Sequence, residues 1–334
     1  MKNVRDRPTT AKHRTRKARQ RGTASQPHRF NRILVPIDFS RSSLKAIPYA
    51  LAIARQFGAH VQLLHVVDTR QYPPPTLLTL PLVPLAEWDR RLMKRLEAIA
   101  LKYRIDGTLS AMKPRSGTAY EEICAAAREV KADLIVIATH GYTGCKHMLL
   151  GSTAERVVQH SLCPVLVVRL HETHRNGTLA SRTRTGFHLK KILVPIDFSE
   201  CSEAASKYAA LLAGDFNAEL RLVHVINPHA YPFGDKYTAL DPAELMRQTE
   251  DAAEEQLLLM AGKTNVPYTA EIRNGSPSIE ICNAANQDVD LIVISTHGRT
   301  GLGHLLIGSV AERVVRHARC PVLVIPARRK SKRV

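Results

Sequence analysis

Apolar residues along this chain fall into short runs separated by stretches of helical spacing. Ile33–Ile37 is an apolar, β-branched run ending at Asp38, the pattern of a strand buried on both faces. From about Ser42 to Phe57 the apolar positions keep helical spacing, and Gly58 stands where a helix stops. His60–Val67 reads as a second strand, Tyr72 to Pro84 as a proline-rich loop, and about Ala86 to Tyr103 as a second helix. A weaker strand near Thr108–Met112, a helix over Thr118–Val130 and a strand over Leu134–Thr139 follow. A short helix at Thr153–His160 and a strand at Val165–Val168 close the series. The same order recurs from Ile192 to Ile325. Five strands joined by helices predict right-handed crossovers and a mostly parallel α/β sheet covered on both faces. Ligands of such sheets bind at the carboxyl ends of strands, where strand order reverses.

The recurrence is literal. Ile33-Leu-Val-Pro-Ile-Asp-Phe-Ser40 reappears letter for letter as Ile192 to Ser199, and Asp133–Val168 aligns without gaps to Asp290–Ile325 with 25 identities in 36. A period of 157 to 159 residues is a whole domain rather than a solenoid unit. Identity concentrates in the first and last thirds of each copy, which points to a shared site built from the ends. The divisions expected are a disordered basic tail (1–30), two domains (31–169 and 190–326), a flexible linker between them (170–189) and a second basic tail (327–334).

Charge changes the picture only in the tails. The chain is formally +18, but residues 1–30 alone carry ten Lys or Arg against one Asp, and the segment 169–191 and the last eight residues each add +5. The two folded parts are unequal, at +6 for residues 31–168 and −7 for residues 192–326. Arg-rich tails this poor in apolar residues cannot order themselves by burial. They read as solvated extensions, or as anchors for nucleic acid or another acidic surface through phosphate neutralisation. No apolar run approaches the roughly 20 residues of a membrane span, and no apolar core follows the basic N-terminus, so neither a membrane anchor nor a secretory signal is expected.

The six cysteines form no Cys-x-x-Cys pair and no Cys/His cluster at zinc spacing, which argues for a reducing, cytoplasmic setting. Cys124 and Cys282, and Cys163 and Cys320, hold matching positions and read as small buried hydrophobes. Cys145 and Cys201 have no counterpart in the other copy.

The chemistry-bearing segment is Ala138-Thr-His-Gly141, nine residues, then Gly151-Ser152, repeated as Ser295-Thr-His-Gly298, nine residues, then Gly308-Ser309. A glycine after a buried strand lets the chain turn and leaves backbone N–H groups uncovered. Gly-Ser then opens a helix, and Ser152-Thr-Ala-Glu155 and Ser309-Val-Ala-Glu312 fit a capping box that puts the serines near the N-cap. A helix N-terminus of this kind is an anion site. Each hydroxyl has capping, donation to a phosphate oxygen, or both open to it. His140 and His297 have no sequence-local Ser, Asp or metal partner and read as hydrogen-bonded structural histidines. Asp38 and Asp197, at a strand's end, either cap the next turn or accept from a ribose or adenine group.

These residues carry a resemblance. Pro36-x-Asp38-x-Ser40, Pro195-x-Asp197-x-Ser199, both Thr-His-Gly…Gly-Ser-x-Ala-Glu-Arg segments and both Cys-Pro-Val-Leu-Val ends resemble the universal stress protein family. The resemblance implies two tandem Rossmann-like domains of the adenine-nucleotide α-hydrolase type, each with a five-stranded parallel sheet. It implies pairing of the domains through their last strands, Val165–Val168 against Val322–Ile325, or a homodimer. It further implies a site for ATP, with Mg2+, in which Gly141, Gly151, Ser152, Gly298, Gly308 and Ser309 match the family's phosphate motif. Ala138 and Ser295 replace that motif's first glycine, and Pro36, Asp38, Val66, Pro195, Asp197 and Val225 fall on the adenine side. The function expected is a stress-response protein that binds ATP or a related nucleotide without efficient catalysis. The alternatives are a nucleotide-free module docking a partner or nucleic acid through its tails, and a slow ATPase. No Walker Gly-Lys-Ser/Thr and no obvious carboxylate pair for Mg2+ supports the last.

Overall fold

A computed structural model describes residues 14–16, 30–68, 85–103, 107–139, 151–169, 189–228, 242–286, 288–298 and 307–327. After a short strand β1 (Arg14–Arg16), the first copy runs β2 (Arg32–Pro36), α1 (Arg41–Leu44), α2 (Ala46–Phe57), β3 (His60–Leu64), β4 (Val66–Asp68) and α3 (Leu85–Tyr103). It continues through β5 (Leu109–Ala111), β6 (Arg115–Gly117), α4 (Ala119–Glu129), β7 (Leu134–Ala138), α5 (Ser152–His160) and β8 (Val165–Val168). The second copy runs β9 (Lys191–Ile196), α6 (Glu200–Phe216), β10 (Glu219–Ile226), α7 (Pro242–Ala261) and β11 (Tyr268–Asn274). It ends with α8 (Pro277–Ala285), β12 (Leu291–Ser295), α9 (Ser309–His317) and β13 (Val322–Ile325).

One sheet runs through both copies in the order β1-β11-β10-β9-β12-β13-β8-β7-β2-β3-β5. Each copy contributes five parallel strands in the order third, second, first, fourth, fifth, so the switch in strand order lies between β2 and β7, and between β9 and β12. The expected α/β class with two Rossmann-like domains is the architecture found. The halves join where β13 runs antiparallel to β8, with Leu323 opposite Leu166. Both strands are buried runs of Val, Leu and Ile, and pairing them covers the edge that each half would otherwise expose.

Two apolar layers sandwich this sheet. Helices α2, α3, α6 and α7 cover one face, around Ile47, Leu96, Ala209 and Leu257. Helices α4, α5, α8 and α9 cover the other, around Ile123, Val157, Ile281 and Val314. Both layers cross the junction between copies. Phe57 meets Phe30 at 5.1 Å and Phe216 at 5.8 Å between ring centroids, and Gln56 Nε2 donates to the Asp215 carbonyl at 2.6 Å. No described helix is long and apolar enough to cross a membrane.

Two prolines make the first copy more broken than its periodicity predicts. The helix expected over 42–57 is interrupted at Lys45, where α1 ends and α2 begins. In a continuous helix the ring of Pro48 would clash with the Leu44 carbonyl, four residues back; α6, without a proline there, is continuous over 17 residues. The second expected strand is likewise split at His65. Met112 donates to the Leu63 carbonyl, but the next donor to the ladder is Arg115, onto His65. Pro114 has no N–H to give. The pairing therefore slips by one residue, from Leu63 opposite Ala111 to Val66 opposite Arg115, whereas β10 and β11 keep one register throughout.

The tail expected at 1–30 contributes one described element. β1 lies antiparallel on the edge of the second copy's sheet, with Thr15 opposite Thr269. The rest of that tail, most of the linker and residues 328–334 lie outside the described residues.

Candidate functional site

The carboxyl ends of the first and fourth strands meet in both copies. After β2 and β9 the chain turns at Phe39 and Phe198, whose φ angles of 64° and 61° are left-handed, a conformation bulky residues adopt only when their surroundings hold them there. The holding groups are identifiable. Asp38 Oδ1 accepts the Ser40 N–H at 2.9 Å. Asp197 Oδ1 accepts both the Ser199 N–H at 3.0 Å and its hydroxyl at 2.6 Å. The two serines in turn cap α1 and α6, accepting from the Ser43 and Ser202 N–H groups. The turn-capping use of Asp38 and Asp197 is thus the one these bonds display.

Behind each phenylalanine stands a histidine, at 4.3 Å for Phe39 and His65 and 4.5 Å for Phe198 and His224. The Nδ1 of each lies 2.8 or 2.7 Å from the carbonyl of Ile37 or Ile196, so that nitrogen carries the proton. Burial pushes His65 below the usual histidine value, against the opposing pull of the Ile37 carbonyl and the Asp38 charge. Sequence reasoning missed these four rings. The signal was present in the letter-for-letter Asp-Phe-Ser repeat and in the Leu-His-Val and Val-His-Val that follow.

In the second copy the fourth strand delivers Gly298 against the Asp197 carboxylate: a Cβ there would sit 2.5 Å from Oδ2. Only glycine leaves room for that apposition. The buried Ser295 hydroxyl turns back to the His297 carbonyl at 2.8 Å, and His297 Nδ1 lies 2.9 Å from Thr296 Oγ1, in keeping with a hydrogen-bonded histidine. The counterparts His140 and Gly141 lie outside the described residues. Ala138 is buried at the end of β7, opposite Val168.

The Gly-Ser pairs return to the same strand ends. Gly151 N–H donates to the Thr139 carbonyl and Gly308 N–H to the Thr296 carbonyl, both at 2.7 Å. Each glycine is itself the N-cap, and α5 and α9 begin at the serine. The capping box expected from the sequence is therefore not formed: each N-cap falls one residue before the serine, and no side chain caps either helix. Ser152 and Ser309 are the first helical residues, exposed, and neither glycine N-cap has a side chain to cap with. The N–H groups of that first turn have no acceptor within the helix, and with the serine hydroxyls they make a donor-rich, electropositive rim. Pro36 and Pro195 follow Leu34 and Leu193 on the side of α4, α5, α8 and α9. Val66 and Val225 pack on that same side.

The thiols are quiet. Burial pushes Cys124 up to about 11 and Cys320 up to about 12, and the same cause raises Cys163, Cys201 and Cys282. Cys145 lies outside the described residues. Among the described residues no group of three or more His, Cys, Asp or Glu is placed to hold a metal ion.

The universal stress protein family model matches residues 29–169 and again 188–326. The chain belongs to that family. A universal stress protein of Methanocaldococcus jannaschii is 36% identical over 157 residues, covering 46% of this chain and 91% of its own. Universal stress protein Rv2623 of Mycobacterium tuberculosis is 27% identical over 303 residues, with 87% of this chain and 95% of that one covered. A crystallised universal stress protein of Archaeoglobus fulgidus shares the fold with a TM-score of 0.58 at 23% identity, over 89% of this chain and 96% of that one.

Proposed function

We propose that each copy of this universal stress protein holds ATP or a related adenine nucleotide at the carboxyl end of its sheet, without efficient turnover. The observation that carries the reading is the convergence in the second copy of Asp197 with Gly298 and the Gly308-Ser309 helix start, which lie about a hundred residues further along the chain. The phosphates lie on the first-turn N–H groups of α5 and α9 and on the Ser152 and Ser309 hydroxyls. Gly141 and Gly298 allow close approach. The adenine side is formed by Pro36, Asp38 and Val66, and by Pro195, Asp197 and Val225. Mg2+ would arrive with the nucleotide, held by its phosphates.

Calorimetric titration with ATP and Mg2+ tests this, with saturation at two nucleotides per chain expected. Gly298→Ala, whose methyl displaces the Asp197 carboxylate, leaves one. Glycine restored at the motif's first position, by Ala138→Gly with Ser295→Gly, tightens binding by removing a buried methyl and a hydroxyl committed to its own loop. A wild-type titration that shows no saturation at millimolar ATP ends the proposal.

A further inference from the structure

The two copies treat the opposite side of the Phe-His pair differently. Leu96 and Ala100 of α3 match the fully buried Leu257 and Ala261 of α7, which makes Arg95 the counterpart of Gln256. In the first copy the central carbon of the Arg95 guanidinium lies over Phe39, 4.1 Å from the ring centroid. Arg91, Leu92 and Trp88 stand beside it on the helix. In the second copy the corresponding residues are Gln256, Ala252, Ala253 and Thr249. There an open cleft of about 340 Å³ lies between α7, Phe198 and His224. The phenylalanines share their backbone angle and their stacking on histidine, so the floors are alike. Among the described residues, what differs is the helix side chain beside the floor, Arg95 in one copy and Gln256 in the other.

We infer that this cleft binds a guanidinium group, the planar cation that the first copy supplies from its own Arg95. The Phe198 face attracts a cation, Gln256 and Gln248 offer amide oxygens to its N–H donors, and residues 192–326 carry a net charge of −7. The group has two sources, a free guanidinium compound or an arginine of the chain's own N-terminus. Residues 1–30 hold seven arginines, and β1 already lies on the edge of this same half-sheet. The cleft is separate from the proposed nucleotide site. His224 and Val225 are consecutive on β10 and so face opposite sides of the sheet, with Val225 on the α8 and α9 side.

The test is a titration of the full chain with methylguanidinium, followed by NMR of labelled Phe and His rings, with methylammonium as the non-planar cation. Saturable shifts at Phe198 and His224 are expected at about 10 mM methylguanidinium, tighter than one exposed cation–π contact supplies and so a measure of what the two glutamine amides add to it. Methylammonium should bind several-fold more weakly. Gln256→Arg, which rebuilds the first copy's arrangement on an exposed helix position, should weaken methylguanidinium at least tenfold. Shifts that emerge only after the seven tail arginines are changed to lysine identify the tail as the occupant and support the inference. No saturable shift in either protein, equal binding of methylammonium, or binding that survives Gln256→Arg overturns it.

Discussion

The two copies share a sheet order, a turn and a helix start, yet they stabilise the third strand by different physics. In the first copy Arg115 at the strand's end reaches Glu122 and Glu129, both at 2.7 Å, with its side chain 28% exposed. In the second, Glu271 is fully buried. It accepts from Arg221 at 2.6 and 2.9 Å through one oxygen and from Arg273 at 2.7 Å through the other, while Arg273 continues to Glu280 at 3.0 Å. Arg221 also donates to the Ala284 carbonyl at the end of α8. By the strand registers, Gln62 and Met112 stand where the second copy has Arg221 and Glu271. A site that one copy fills with an uncharged pair the other fills with a buried carboxylate between two guanidinium groups. Such an arrangement is costly to break but not costly to replace.

The largest effect expected follows from that contrast. Glu271→Ala leaves Arg221 buried without its counter-charge and should lower unfolding stability in denaturant by about 3–5 kcal/mol. Arg221→Gln combined with Glu271→Met, the first copy's pair, should lie within about 2 kcal/mol of wild type, because no charge is left unpaired. Equal losses in the single and double variants would mean that shape, not charge, sets the difference.

The next comparison uses one position in both copies. A methyl on Gly151 would meet the Thr139 carbonyl oxygen at 2.8 Å, whereas on Gly308 it would meet that of Thr296 at 3.3 Å. Both contacts are to backbone, which cannot swing aside. Gly151→Ala should therefore cost about 1–3 kcal/mol and Gly308→Ala less than about 1 kcal/mol, read from paired melting curves. The reverse order would show that the two helix starts are not held alike.

The smallest effect is the titration of His65. Its folded-state value is depressed by burial and by the Arg95 charge, so the unfolded chain takes up the proton first. The stability tied to this ring is present above the ordinary histidine value of about 6.5 and is lost as pH falls below it. His65→Gln should flatten that part of the pH–stability profile. Arg95→Gln, which gives the first copy the second copy's residue, should raise the His65 titration midpoint followed by NMR.

Much of this organisation was legible before any tertiary contact was known. Alternating runs of β-branched and helical periodicity specify strands and helices locally, and β8 begins and ends at the residues that the pattern marked. The repeated Gly-Ser located the helix starts to within one residue, and the error was small because Gly and Ser both suit an N-cap. Pro48 and Pro114 were visible as letters, but the kink and the slipped register depend on which carbonyl lies opposite each ring.

The sequence by itself determined the doubling, the α/β class and the segregation of positive charge into residues 1–30, 169–191 and 327–334. These follow from local periodicity, spacing and composition. Tertiary structure alone decided which of two matching copies buries an ion network, which leaves a cleft over its phenylalanine and how closely Gly298 approaches Asp197. Those outcomes depend on pairs that lie fifty to a hundred residues apart, such as Arg221 with Glu271 and Asp197 with Gly298. Distances of a few ångströms decide them, and no local pattern encodes such distances.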